Sequence, residues 1–446
     1  MYAKIFSLFL FILLLPVAAQ AAPPIAHWQT ANGARVYFIE TKQLPMVDVQ
    51  VAFDAGSARD GDKPGVALLT SSLLTDGAQT ADGELNADQI AERFADRGAQ
   101  FGAGADREMA TVSLRSLTDP VLLQPAVDTM AAVLARPTFP QSGFERERKR
   151  MLIGLQAQEQ SPGDVADKTF FAALYGNHPY ATQPLGNTEN LNELTRADVA
   201  THHARYYVAR NAVIAIVGAL SRQQAEALAE AVVGKLPEGE PPAPLPKVDN
   251  PEAARVVALV RPSAQTHVLM GIPGMTRDDP DYFPLLVGNH ILGGSGLVSR
   301  LSDEVREKRG LSYSVYSYFQ PMRVRGPFTL GLQTQNGKTV QALQVLRETL
   351  QRFVASGPTE QELDDAKRNI TGGFALRIDS NAKLVDYLGV IGFYKLPLDF
   401  LDTYPARVEN VTLEQIKDAF KRRVNPEQMI TVIVGGGADH FTGEKS

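Results

Sequence analysis

Alternating apolar and polar positions mark the first strands of the chain. MVDVQVAF (46–53) changes side at nearly every residue. In GPFTLGLQTQ (326–335), Phe328, Leu330 and Leu332 fall on one face and Thr329 and Gln333 on the other. Between such runs the period lengthens to that of a helix: in TEQELDDAKRNI (359–370), Leu363 and Ala366 share a side with Ile370. From Leu297 through Leu301 to Val305 apolar residues recur at every fourth position. This predicts one buried helical stripe, which Gly310 is placed to end in a left-handed cap. SYSVYSYF (312–319) then begins a strand. Strands gathered with helices on one side predict an α+β fold built of two-layer domains, each a sheet with helices on one face.

The pattern occurs twice. VIAIVG (213–218) and ITVIVG (430–435) are offset by 217 residues, and the offset recurs upstream. Leu194-Thr195 precedes one helical stretch as Val411-Thr412 precedes another, and Leu68-Leu69, Leu74 and Gly77 match Leu285-Leu286, Ile291 and Gly294. Matches sharing a single offset imply two copies of one domain. Between them LPEGEPPAPLPKVDNPE carries six prolines from Pro237 to Pro251, an extended and semi-rigid linker. The expected division is a leader over 1–21, a first domain over 22–235, the linker over 236–252 and a second domain over 253–446.

The leader follows from MYAK, then an apolar run from Ile5 to Leu15, then Ala19 and Ala21 in A-x-A spacing. This is the pattern of a secretory signal peptide, with an apolar run too short to span a bilayer. The mature protein is therefore expected to be exported and without a membrane span, and periplasmic if the source is Gram-negative. With 446 residues, 44% apolar and 21% charged, the chain has the composition of a globular protein of more than one domain. Its 44 Lys and Arg are scattered among 50 Asp and Glu for a net charge of −6, so no surface is built for nucleic acid. The absence of cysteine excludes disulfides, thiolate metal sites and cysteine nucleophiles, so any metal would need His, Asp or Glu.

Seven histidines are present: His27, His178, His202, His203, His267, His290 and His440. They form neither H-E-x-x-H nor H-x-x-E-H. His202 and His203 are adjacent and point apart on a helix, and His178 sits in the loop sequence GNHPYATQPLGN. Gly293, Gly294 and Gly296 in LGGSGLVSR suit a tight turn better than a phosphate loop, since neither G-x-x-x-x-G-K-[ST] nor G-x-G-x-x-G occurs. No G-x-S-x-G elbow is present either. Arg306, in the last turn of the expected helix, and Tyr313, seven residues on, could address one small site. A cationic donor and a phenolic O–H are the equipment for holding a carbonyl oxygen as it gains negative charge. By spacing alone, a surface ion pair for Arg306 and a packing role for Tyr313 fit as well.

Residues 299–319, SRLSDEVREKRGLSYSVYSYF, resemble the second-domain signature of the pitrilysin-type inverzincin peptidases, which include the mitochondrial processing peptidases. FERERKRML (144–152), GNHPY (176–180) and the strands VIAIVG and ITVIVG are similar to family patterns as well, so the resemblance covers nearly the whole mature chain. It implies two sheet-and-helix domains enclosing part of a large cavity. Zinc-binding members carry H-x-x-E-H in the first domain. The corresponding stretch here is GVALLTSSLLTDGA, where Leu68, Ser71 and Ser72 take the places of the histidines and the glutamate base. The further glutamate ligand, expected on the FERERKRML helix, is replaced around Gly154. The resemblance thus implies that this chain binds no cofactor and is inactive alone. It also implies that Arg306 and Tyr313 stand where the family keeps its substrate-holding pair. The expected protein is the complementing subunit of a heterodimeric zinc peptidase, with zinc in a homologous partner carrying H-x-x-E-H and a peptide or unfolded polypeptide as substrate. Two alternatives remain open: a pseudo-peptidase acting as a peptide-binding or scaffold subunit, and a homodimer with a metal site built from His202, His203 or His178.

Overall fold

The computed structural model describes residues 23–436. The leader expected over 1–21, and His440, lie outside them. In chain order the strands are β1 (Ala26–Gln29), β2 (Arg35–Glu40), β3 (Met46–Asp54), β4 (Gly77–Thr80), β5 (Gly83–Asn86), β6 (Gln100–Ala105), β7 (Met109–Leu117), β8 (Ala212–Gly218), β9 (Arg255–Val260), β10 (Gln265–Pro273), β11 (Ser312–Phe319), β12 (Pro327–Gln335) and β13 (Ile430–Gly435). Apart from the small β4–β5 hairpin they form two sheets, ordered β1-β2-β8-β3-β7-β6 and β11-β12-β10-β13-β9. Read from the opposite end, the second order reproduces the first without β1. The directions agree too: β2 runs parallel to β8 as β9 does to β13, and the remaining equivalent pairs are antiparallel. VIAIVG and ITVIVG form β8 and β13, which are buried along their whole length. Their near-continuous apolar character is what a strand covered on both faces requires.

The helices that carry the argument are α1 (Val66–Leu73), α2 (Pro120–Ala135), α3 (Gln141–Gln160), α4 (Pro162–Tyr175), α5 (Arg196–Tyr206) and α6 (Arg222–Val233) in the first half. In the second half they are α7 (Tyr282–Asn289), α8 (Thr339–Ser356), α9 (Glu360–Gly372), α10 (Asn381–Tyr394) and α11 (Leu413–Arg423). The offset between halves carries α5 onto α11, and both begin with a capping box in which Thr195 or Thr412 accepts the N3 backbone N–H. On α9 the stripe of Leu363, Ala366 and Ile370 is buried as its period predicts.

The second face of each sheet is covered by a helix from the other half. α10 lies across β8, β3 and β2 of the first sheet, where Leu384, Val385, Leu388 and Ile391 share a core with Tyr37, Ile39, Val213, Ala215 and Val217. Its counterpart α4 crosses β13 and β10 of the second sheet, joining Val165, Ala166, Phe170 and Leu174 to Ile430, Val432 and Val434. Glycines permit the close approach on both sides. A Cβ on Gly392 would lie 2.4 Å from Val213, and one on Gly271 would lie 2.7 Å from the Phe170 ring. The two sheet-and-helix units are therefore interlocked by an exchanged pair of helices.

A buried polar cluster fastens the same junction. Glu108, in the turn between β6 and β7, accepts from the hydroxyls of Tyr180 and Tyr394 and from the Arg323 backbone N–H, the last at 2.9 Å. Burial pushes its carboxyl up, and these donors oppose that shift. Tyr394 ends α10 and Arg323 lies between β11 and β12, so two of the three donors belong to the second half. Tyr394→Phe should cost about 1.5–3 kcal/mol, the range for a hydrogen bond to a charged group. Denaturant midpoints at constant slope would measure this. A midpoint within error of wild type would show that Tyr180 and Arg323 alone satisfy Glu108. The linker is strapped down too: Pro237 O and Glu238 O accept from the Ala209 and Arg210 N–H groups, and Leu245 is buried.

Candidate functional site

The metal positions fall on α1. Asp60 caps its start, its two carboxylate oxygens accepting from the N–H groups of Gly65 at 2.7 Å and Ala67 at 2.9 Å. Leu68 and Ser72, one helical turn apart, form the half-buried edge of this helix. Ser71 is buried, and its hydroxyl faces that of Tyr207 without a hydrogen bond of good geometry. Facing α1 across the helix packing, α3 carries Gly154, where a Cβ would touch Leu185 at 3.4 Å. Leu68 and Leu185 both pack on the first half's core. An aliphatic side chain, two hydroxyls and a glycine offer neither the imidazole and carboxylate donors zinc requires nor a base to activate water. The residues present do not fit the metal, and among the described residues no three His, Asp or Glu side chains come together as a ligand set.

The histidines have structural partners instead. His202 Nε2 meets Ala55 O at 3.2 Å and His203 Nε2 meets Leu134 O at 2.9 Å. Burial pulls both down to about 4, so both are neutral at pH 7. His178 accepts the Tyr180 N–H at Nδ1 and faces Pro246 O through Nε2 at 3.1 Å, tying the linker to the first half. The alternative of a metal site made from these three has no geometry to support it.

In the second half the helix carrying Arg306 starts later than its apolar period suggests. Leu297 is 65% exposed, in a short 3-10 turn, whereas Leu301 and Val305 are fully buried. The cause is local: Gly296 takes φ 64° and Ser299 is extended, acting as the cap whose hydroxyl accepts the Ser302 N–H. The stripe is thus two residues rather than three. Gly310 does end the helix, at φ 56°, its N–H bonded to Arg306 O at 2.9 Å. The last turn is π-helical, and the Leu311 N–H reaches back to Val305 O at 3.0 Å. Widened turns of this kind occur often at functional sites.

Arg306 therefore sits at the C-terminal end of its helix, its guanidinium one-third exposed and Nε 3.5 Å from Glu307. Tyr313 is 84% exposed. In the ladder with β12, Ser312 pairs with Thr334 and Ser314 with Gln333, so Tyr313 is the extra residue of a bulge. The bulge is pinned by the Ser312 hydroxyl, 2.6 Å from both Ser314 O and Gln333 O. Bulges redirect side chains and are common beside active sites. Neither Arg306 nor Tyr313 hydrogen-bonds the other. Farther along β11, Tyr316 and Tyr318 stack at 5.9 Å, with Tyr316 lying over Gly331. The alternation S-Y-S-V-Y-S-Y announces this aromatic face, which motif spacing alone does not single out.

An ion pair anchors the start of the same helix. Arg300 grips Glu362 with two bonds of 2.6 Å, and Glu362 also accepts the Thr359 N–H in the capping box of α9. Burial opposes the charge on Glu362, but the Arg300 guanidinium and the Thr359 donors hold its carboxyl down at about 2. Its folded value lies below its unfolded one, so this stabilisation is present above about pH 4.3 and is lost as pH falls towards 2. The pair is partly solvated, so Glu362→Gln should cost only about 1 kcal/mol at pH 7. That difference should narrow from about pH 4 and close only below about pH 2. A gap in denaturant midpoints that persists into acid would assign the effect to packing instead.

A duplicated chain with this sheet order, and with neither imidazole nor carboxylate at the metal positions, is, by class, a zinc-free peptidase homologue. Residues 35–188 match the family described as Insulinase (Peptidase family M16), and residues 193–370 match the Peptidase M16 inactive domain. The chain belongs to the M16 peptidase family. A solved M16 inactive-domain structure from Pseudomonas fluorescens is 41% identical, with a TM-score of 0.89 over 93% of this chain and 98% of that one. A protein of Helicobacter pylori named as a non-peptidase homolog is 26% identical over 96% of this chain and 98% of its own length. The mitochondrial-processing peptidase subunit beta of Lentinula edodes is 24% identical over 88% and 85% respectively.

Proposed function

We propose that this chain is the zinc-free subunit of a heterodimeric zinc metallopeptidase, exported and, in a Gram-negative host, periplasmic. One observation carries the reading. The metal positions are filled by residues that offer no imidazole or carboxylate, while Tyr313 stands exposed on a pinned bulge with no side-chain hydrogen bond among the described residues. Hydrolysis then takes place at the zinc of a homologous chain carrying H-x-x-E-H. Arg306 and Tyr313 donate hydrogen bonds to the scissile carbonyl or the adjacent backbone of a bound peptide, and they hold that oxygen as it becomes anionic. The aromatic face of Tyr316 and Tyr318 gives an extended peptide a surface to lie on. Similarity to a processing-peptidase subunit supports a role within an assembly rather than alone.

A second reading, a peptide-binding scaffold without catalysis, is favoured by the name of the Helicobacter relative. Affinity purification of the tagged chain from its native host, followed by a peptide-cleavage assay on the eluate, tests the two. A co-purifying chain of similar size that carries H-x-x-E-H, with cleavage abolished by a chelator, is the expected result. Recovery of the chain alone and inert, or with non-peptidase proteins only, would overturn the proposal in favour of the scaffold.

A further inference from the structure

A cavity of about 650 Å³ opens where the first half, the linker and the second half meet, and no residue of β11 lines it. Its size is that of a small-molecule site. The side chains around it include five cations, Arg35, Arg59, Arg210, Arg323 and Lys395, against a single carboxylate, Asp54. The cations differ in how far they are already satisfied. Arg59 holds Asp54 through two bonds of 2.7 Å. Arg210 is taken by Glu238 and Glu240 of the linker, at 2.9 and 2.6 Å.

Among the described residues Arg35 and Lys395 make no ion pair, and Arg323 shares Asp54, which Arg59 already holds. Arg35 donates to the Gly392 carbonyl at 2.8 Å and has the Tyr37 side chain beside it. Burial foremost, and also the neighbouring Arg323 guanidinium, oppose its charge. Arg323 lies over Phe393, its buried Nε atom 3.6 Å from Asp54 and without a hydrogen bond. A second carboxylate that feels its charge, Glu108, is committed to two tyrosines and to the Arg323 backbone N–H. Lys395 has no ion pair among the described residues and ends α10 in the left-handed region at φ 57°. A non-glycine residue is strained there. Two half-buried guanidiniums and an exposed ammonium gathered around one shared carboxylate are an excess of positive charge that a bound anion would relieve.

We infer that this cavity is a binding site for a small, multiply charged oxyanion carrying phosphoryl or carboxylate groups, held by Arg35, Arg323 and Lys395. Guanidinium forks match the paired oxygens of both groups, and three cations with only a share in one already paired carboxylate call for more than one negative charge. The walls belong to three segments: Arg35 and Asp54 to the first half, Pro241 and Pro244 to the linker, Arg323 and Lys395 to the second half. A ligand bound here bridges all three and stabilises the interlocked arrangement by mass action. The site is independent of the catalytic reading, because it shares no residue with Arg306 or Tyr313.

Titration calorimetry of the full mature chain with pyrophosphate, and separately with citrate, tests the inference, alongside thermal unfolding in each anion. The expected result is saturable binding of at least one of them below millimolar concentration, with a rise in unfolding temperature beyond that given by KCl at the same ionic strength. Pyrophosphate alone would identify a phosphoryl ligand and citrate alone a carboxylate ligand. Lys395→Asn, which suits the left-handed backbone and keeps the fold, should weaken binding at least tenfold, and Arg35→Gln should do the same. No binding of either anion at millimolar concentration, a shift that KCl reproduces, or equal affinity in the folded Lys395→Asn variant would overturn it.

Discussion

Tyr313→Phe should lower peptide cleavage by the two-chain complex by about 10²–10³-fold, the range for removing one oxyanion donor. The variant deletes one oxygen from a side chain that is 84% exposed and makes no hydrogen bond among the described residues, so folding should not change. The loss should fall on kcat more than on KM, because a donor aimed at developing charge gains most of its strength in the transition state. Arg306→Lys should recover part of what Arg306→Ala loses. An ammonium keeps the charge but lacks the planar fork, and the existing contact to Glu307 at 3.5 Å is too weak and exposed to fix the side chain elsewhere. The measurement is steady-state cleavage by the reconstituted complex, with subunit association followed separately. If Tyr313→Phe cleaves within twofold of wild type while remaining bound to its partner, the tyrosine holds no oxyanion and the scaffold reading takes its place.

The parts of this fold that can be read from sequence are those in which a local pattern repeats. The identical offsets of β8 to β13 and of α5 to α11 reveal the duplication, because each pair preserves its own strand or cap chemistry. The helix exchange leaves no such trace. An amphipathic helix such as α10 reads the same whether its apolar face meets its own sheet or another. Nor can the Glu108 cluster be foreseen, since its donors stand 72, 215 and 286 residues away along the chain. Leu297 misleads because periodicity ignores the backbone turn that Gly296 and Ser299 impose. The site divides in the same way. The loss of the metal site is legible only against H-x-x-E-H, and the pairing of Arg306 with Tyr313 comes from the resemblance, because neither spacing nor alternation reveals the bulge that exposes the tyrosine.

Cutting the chain between Glu240 and Pro241 should yield two halves that do not fold separately but assemble when produced together. Without α10, the first sheet loses the cover over Tyr37, Ile39, Val213, Ala215 and Val217, and α4 loses the sheet it is built to cover. Leu384, Val385, Leu388 and Ile391 are each at most 6% exposed. Burying side chains of this size is worth about 1.5–3 kcal/mol apiece, or about 6–12 kcal/mol for the four. That equals most of the net stability of an ordinary domain, about 5–15 kcal/mol. Each half alone should therefore aggregate, or keep helical content while losing near-UV circular dichroism and binding a hydrophobic dye. Co-expressed halves should form a one-to-one complex with the near-UV spectrum of the intact chain, because the exchanged helices need only packing and not chain continuity. A first half that is soluble, monomeric and cooperatively unfolding by itself would show that α10 is an ornament on a self-sufficient domain rather than a component of its core.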